Sequence, residues 1–208
     1  MLANNSFKPT PHRGVNSVLY ATLARCRRPA VGRLNSGVRA HMNDHALRML
    51  RDAEDRLNDA SILATNLDTR SDAASLLRVL AFEVLLKCAV IVNGGSPPKS
   101  HNYWTIWQSL PKPAKDSILA MAEDCMPGHT DFSNLQWLLT NYRFVFERAR
   151  YFYEFYEGYT LQEQNELGNF WVSLGSPAAE ADVQYRPNEL TCLTDSLLSY
   201  VKNALQVG

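Results

Sequence analysis

The sequence predicts an all-α fold, an antiparallel helical bundle of four to five main helices with one or two short helices between helices 2 and 4. Two observations predict it. Apolar residues recur at three- and four-residue steps through several long segments, the spacing that lines one face of a helix. Clusters of Gly, Pro and Asn separate those segments, and 208 residues that are 46% apolar are enough to enclose a core.

Residues 1–41 stand apart from that pattern. They hold seven basic residues (Lys8, Arg13, Arg25, Arg27, Arg28, Arg33 and Arg39), no acid and no sustained apolar period, which reads as a disordered basic arm. The short apolar patch from Val18 to Leu23 also suits a transit peptide, whereas a secretory signal needs a longer one. The run Asn4-Asn5-Ser6-Phe7-Lys8-Pro9-Thr10-Pro11 resembles peptides translated from the repeats that flank bacterial mobile gene cassettes, and on that reading the arm is a spurious extension and the chain starts at Met42. The bundle domain is then 42–208.

From Asn43 the residues Ala46, Met49, Leu50, Ala53, Leu57, Ala60, Leu63 and Leu67 keep a helical period, with Arg48, Arg51, Asp52, Asp55, Arg56 and Asp59 between them. A turn is expected around Asp68-Thr69-Arg70, and Ser71-Asp72 can cap the second helix. That helix, Ala73 to Val92, is apolar on most faces and so belongs at the centre of the bundle; Asn93-Gly94-Gly95-Ser96-Pro97-Pro98 ends it. Short helices are expected from Tyr103 to Leu110 and from Pro113 to about Ala122, since Pro is preorganised for a first turn. Ser133 or Asn134 starts a long helix through Leu135, Leu138, Leu139, Tyr142, Phe146, Ala149, Tyr153 and Tyr156, running to about Gly158. An irregular insertion is expected over about 160–186, with Phe170-Trp171-Val172 as a brief extended piece. Asn188 to Leu205 closes the chain, with Leu190, Leu193, Leu197, Val201 and Leu205 facing inward.

The chain has 21 basic and 21 acidic residues, but the arm takes seven of the basic ones and leaves 14 against 21 in the remainder. A net negative body repels phosphate at long range, so extensive binding to duplex nucleic acid is disfavoured and only a local RNA site is compatible. Cys26, Cys88, Cys125 and Cys192 are scattered without a C-x-x-C pair, which excludes a zinc ribbon or a disulfide framework and fits reduced thiols in a cytoplasmic protein. Val79 to Val92 is interrupted by Glu83 and Lys87 and falls short of the roughly 20 residues that a bilayer demands. Neither a membrane anchor, nor a metal, nor a cofactor is expected.

Three pieces in this order resemble the HEPN superfamily of small helical bundles. The first is Ala81-Phe82-Glu83-Val84-Leu85-Leu86-Lys87, an apolar helix with Glu and, one turn on, Lys. The second is Ser100-His101 with Trp104, Trp107 and Leu110. The third is Phe144-Val145, then Arg150-Tyr151 and Tyr153-Glu154. The resemblance spans about half the chain and implies a helical bundle tied to RNA or nucleotides in prokaryotic defence and toxin–antitoxin systems. In catalytic members an Arg and a His in an Arg-x4-6-His motif on the last bundle helix cleave RNA without a metal. An Arg holds the phosphate while an imidazole exchanges a proton with the attacking or leaving oxygen. Here the matching helix has Arg143, Arg148 and Arg150 but no histidine, a departure that argues against the nuclease activity. The spacing Arg39 to His45 fits by coincidence.

The candidate ligand-binding residues are therefore Glu83, Lys87, His101, Arg148, Arg150 and Tyr151; His101, Arg150 and Glu83 are the candidates for any catalysis. Each has a structural reading beside it. Glu83 and Lys87 are spaced for a helical ion pair. His101 suits a helix cap or a bond to backbone better than acid–base work, having no second catalytic partner close in sequence. Arg148 and Arg150 lie near Glu147 and Glu154, which can neutralise them, or else contact phosphate. The aromatic run Tyr142 to Tyr159 covers too many directions for one bundle face; core packing plus a homodimer seam is favoured over base stacking. Cys88, Cys192, Trp104, Trp107 and Trp137 are assigned to packing.

Three functions compete. The leading expectation is a non-catalytic HEPN-like module that binds RNA, a nucleotide or a protein partner such as an antitoxin. The second is a divergent metal-independent ribonuclease using His101 and Arg150. The third is a homodimeric interaction module without a ligand.

Overall fold

The computed structural model describes residues 36–66, 72–176, 181 and 184–206, with the side chains of 36–42, Ala149, Arg150 and Phe152 outside that description. The expected turn at Asp68–Arg70, the Ser71 cap, and the basic arm up to residue 35 lie outside the described residues. Those described are all-α: α1 (Ser36–Asn66), α2 (Asp72–Val92), α3 (Tyr103–Gln108), α4 (Lys112–Cys125), α5 (Leu135–Glu147), a 3-10 segment (Ala149–Tyr156), α6 (Leu161–Ser173) and α7 (Pro187–Gln206). No strand occurs among them. The described residues form one unit.

α2 is the centre because its sequence leaves almost no polar face. Val79, Ala81, Phe82, Leu85, Leu86, Cys88, Ala89, Val90 and Ile91 are all buried, and each large side chain among them contributes about 1.5–3 kcal/mol on removal from water. α1 packs along one side of α2, α7 along another, and α3 and α5 close its remaining surface. α1 presents Ala46, Leu50, Ala53 and Ala60 to this core, and α7 presents Leu190, Leu193, Leu197 and Val201. The small alanines of α1 let its backbone approach α2 closely.

The helix ends are chemically explicit. At the C-terminus of α2 the Gly95 amide bonds to the Val90 carbonyl at 3.0 Å and the Gly94 amide to that of Ile91 at 2.8 Å, the double bond of a Schellman cap. Gly94 has a φ of 79°, and a Cβ at Gly95 would stand 2.8 Å from the Val90 side chain, so the glycine pair is required there. Next to this cap the Asn93 side chain donates to the Ala89 carbonyl at 2.7 Å and accepts from the Tyr200 hydroxyl at 3.0 Å, fastening α2 to α7. Asn134 caps α5 by accepting from the Trp137 amide at 3.1 Å.

Two expectations are corrected. The long helix expected to run to Gly158 stops at Glu147, and the chain continues as a 3-10 segment with a non-helical residue inside it, Tyr151 (φ −117°, ψ 47°). No Gly or Pro marks the break; the aromatic run keeps its periodicity through a change of helix type. The region expected to be an irregular insertion contains α6, which takes in Phe170-Trp171-Val172. Its start is a capping box: the Thr160 hydroxyl accepts from the Glu163 amide while the Glu163 carboxylate accepts from the Thr160 amide. α6 buries no residue, which is why no core-facing stripe announces it.

Candidate functional site

Three aromatic rings set the register from which the site is built. Phe82 of α2 meets Tyr103 of α3 edge-on at 5.7 Å between ring centroids and Tyr142 of α5 at 5.9 Å, and all three are fully buried. Such pairs contribute about 0.5–1.5 kcal/mol beyond their area, and here they fix three elements against one another at one level. The residue after Phe82 is Glu83, His101 lies just before Tyr103, and Phe146 follows Tyr142 by one helical turn. Packing of the rings therefore delivers Glu83, His101 and Phe146 to one place.

Glu83 is 4% exposed. Its Oε1 accepts from the Lys87 ammonium at 2.7 Å, one turn along α2. Both of its oxygens lie 3.0 Å from His101 Nδ1. The imidazole stacks at a tilt on the Phe146 ring, 4.8 Å between centroids, which fixes the plane of the ring as Glu83 fixes its edge. A carboxylate has only acceptors to offer, so Nδ1 carries the proton and Nε2 is the free nitrogen. The His101 side chain is 53% exposed. Neutral, the ring thus offers a lone pair at Nε2; charged, it offers an N–H.

The expectation that His101 caps a helix or bonds to backbone is corrected. The cap of α3 is Asn102, whose side chain accepts from the Thr105 amide at 3.1 Å, and Ser100 Oγ accepts from the Asn102 amide at 2.9 Å. With its neighbours holding the backbone, His101 is free to turn toward α2. The Glu83–Lys87 pair occurs as the spacing predicts, but it is sheltered, at 5% and 21% side-chain exposure.

Tyr103 forms the floor. Its hydroxyl is buried and meets no partner in hydrogen-bonding geometry among the described residues. Burial first, and then the negative charge of Glu83, raise its pKa well above the ordinary tyrosine value of 10, so it stays protonated. Beside this floor the Arg143 Nε donates to Glu147 Oε1 at 2.9 Å on α5.

The third piece of the sequence reading is placed differently. Arg148 caps α5 through its backbone, with its amide on the Phe144 carbonyl at 2.8 Å, and its exposed guanidinium lies 5.5 Å over the Phe144 ring. Glu147, expected to neutralise Arg148, is paired with Arg143 instead; Arg148 lines a hollow of about 300 Å³ with Glu154 and Phe155. Tyr151 sits in the 3-10 segment, 40% exposed and edge-on to Tyr153. Arg150 is in the same segment, and its side chain lies outside the described residues.

Glu83, Lys87 and His101 are therefore brought together, with Phe146, expected only as a periodic position of the long helix, and Tyr103, expected only as the start of a short one, as supports. Phe146 carried a usable signal, being one turn from Tyr142. Among the described residues no group of three or more His, Cys, Asp and Glu could hold a metal ion, and no helix is long and apolar enough to cross a membrane. The arrangement can orient an imidazole edge beside an ammonium, a pairing suited to the oxygens of a phosphate or carboxylate. No family model, no curated protein and no solved structure matches this chain.

Proposed function

We propose that the chain is a non-catalytic, HEPN-like module of a cytoplasmic prokaryotic defence or toxin–antitoxin setting, carried with a mobile gene cassette, and that it binds RNA or a nucleotide through His101 and Lys87. The observation that carries this reading is the clamp on His101: Glu83 on the Nδ1 edge and Phe146 on one face of a ring whose side chain is half exposed. A ring held at two points loses little freedom when a phosphate oxygen meets it, which favours binding. Arg148 and Tyr151 would extend the contact along the chain. The cleavage that the resemblance implies needs an Arg and a His together on the last bundle helix. The helix that resembles the catalytic one has no histidine to serve.

The negative body predicts that few phosphates are held and that the affinity falls only gently with salt. Fluorescence anisotropy with a labelled single-stranded RNA oligonucleotide, with ATP as competitor, tests the reading. The expected result is saturable binding that His101→Ala and Lys87→Met each weaken at least about fivefold, an effect of ~1 kcal/mol. Equal binding by wild type and both variants, or none by any, discards it. Cleavage of the RNA by wild type but not by His101→Ala would replace it with the ribonuclease reading, in which Arg150 holds the phosphate. An antitoxin-like protein partner would use the same region around Glu83, Lys87, His101, Arg148 and Arg150, whereas the homodimer reading concerns the aromatic segment after α5.

A further inference from the structure

α6 carries an apolar stripe that its C-cap residue, Leu174, continues, and none of the residues of the helix is buried. Leu167, Phe170 and Leu174 follow one another at the spacing of a single helical face, and they are 42%, 61% and 52% exposed. Leu167 and Phe170 line a shallow hollow of about 340 Å³ together with Tyr159, Glu163 and Glu166. Isolated exposed apolar residues are ordinary, but a stripe along two turns with aromatic residues at its edge marks a surface that another molecule covers.

Charge identifies what that molecule is. Between Arg150 and Arg186 the sequence has six acidic residues and no Lys, Arg or His. Glu163 and Glu166 form the rim of the hollow. A second copy of the chain laid face to face would set these carboxylates against their equivalents, a like-charge contact that costs specificity and affinity. Anionic lipid headgroups and nucleic acid phosphates meet the same repulsion. A cationic helix with its own apolar face has none of these penalties, and the two-turn stripe, about 10 Å long, is the length that anchors at i, i+3 and i+7 occupy. We infer that the exposed face of α6 is a docking surface for a basic amphipathic helix of a partner protein, with Leu167, Phe170 and Leu174 taking its apolar anchors and Glu163 and Glu166 its flanking Lys or Arg.

Isothermal titration of the full chain with a synthetic Leu/Lys amphipathic peptide of about fourteen residues, roughly four turns, tests this. A peptide of the same composition in scrambled order and a Leu/Glu counterpart serve as controls. The expected outcome is saturable 1:1 binding of the ordered basic peptide alone. Leu167→Ser with Phe170→Ser weakens it at least about tenfold. Glu163→Gln with Glu166→Gln weakens it several-fold and flattens its salt dependence, while Gln keeps the acceptor that the helix cap needs. Binding of the scrambled or the acidic peptide with similar affinity, or indifference of the ordered peptide to the double serine variant, overturns the inference. So does sedimentation velocity showing a dimer that the serine variant dissolves, since a second copy then owns the face. A fall of more than a few degrees in the melting temperature of the serine variant would show the stripe packing within the chain, and overturns it as well.

Discussion

The carboxylate of Glu83 lies equidistant, at 3.0 Å from each oxygen, from Nδ1 of His101, across a gap of eighteen residues in sequence. Because Glu83 is nearly dry and also holds Lys87, it is the shared anchor of an ammonium and an imidazole. Replacing it with Gln keeps the volume and removes the charge, leaving a sheltered ammonium unpaired. Glu83→Gln is expected to cost about 2 kcal/mol in urea unfolding, within the range for breaking a partly buried pair. His101→Ala is expected to cost less than about 1 kcal/mol, since its ring is half in water. A double-mutant cycle of Glu83→Gln with Lys87→Met then returns a coupling of about 1 kcal/mol. Additive effects would show that these two groups are neighbours without being coupled.

Two buried tyrosines respond oppositely to loss of their hydroxyl. Tyr142 donates to the Arg186 carbonyl at 2.8 Å, joining α5 to the start of α7, so Tyr142→Phe is expected to destabilise by about 1–1.5 kcal/mol. The Tyr103 hydroxyl has no partner in hydrogen-bonding geometry among the described residues, and Tyr103→Phe removes a desolvated polar group. The phenylalanine variant at 103 is expected to match or exceed wild type in urea midpoint. A loss above about 1 kcal/mol would mean that the hydroxyl bonds to Glu83 in solution.

What was readable in the sequence follows from which patterns the core rewards. The α7 stripe Leu190, Leu193, Leu197 and Val201 and the all-round apolar α2 are the residues that burial selects, and both are where the period placed them. α6 escaped because it buries nothing: Thr160-x-x-Glu163 marks its start, but the apolar positions behind it, Leu167 and Phe170, stay exposed and join no core. The break after Glu147 escaped for the opposite reason, since Tyr153 and Tyr156 keep the helical spacing across a non-helical Tyr151. In the site, Glu83 with Lys87 was legible as an i, i+4 pair. The approach of His101 was not, because it depends on the packing of Phe82, Tyr103 and Tyr142, a tertiary fact. That same packing supplies Phe146, a ring counted among core positions, as the face on which the imidazole rests.

Burial pushes the thiols of Cys88 and Cys192 up from the ordinary 9.0 to about 12, the neighbouring Cys125 adding to the effect at Cys192. Unfolded chains release these protons from about pH 9 while the folded protein holds them to about 12. The unfolded state therefore binds fewer protons in that window, and stability falls as pH rises through it. Below pH 9 this contribution is complete. Urea midpoints measured from pH 8 to 10.5 are expected to decline, and Cys88→Ala to decline less steeply from a lower start. At pH 8 a maleimide is expected to modify exposed Cys125 and to spare Cys88 and Cys192 in a Cys26→Ser background. Labelling of Cys88 at a rate close to that of Cys125 would show that α1 and α2 part readily.

The N-terminus of α6 is expected to be acid-labile while the bundle is not. The amide and hydroxyl of Thr160 both donate to the Glu163 carboxylate, at 2.7 and 2.8 Å, and hold its pKa below the ordinary value of 4.5. The sign is that of a depressed carboxylate: the cap is fully formed above pH 4.5 and is lost as pH falls through the lowered value. Hydrogen exchange at the first amides of α6, corrected for intrinsic rates, is expected to lose protection over that acid range. In Glu163→Gln the protection should vary little with pH, because an amide oxygen accepts at every pH. At neutral pH Thr160→Ala is expected to open the helix locally by about 1 kcal/mol. Since α6 contributes no buried residue, the urea midpoint of the whole domain should stay where it is. A shift of that midpoint in step with the local opening would place α6 inside the cooperative core and contradict its exposure.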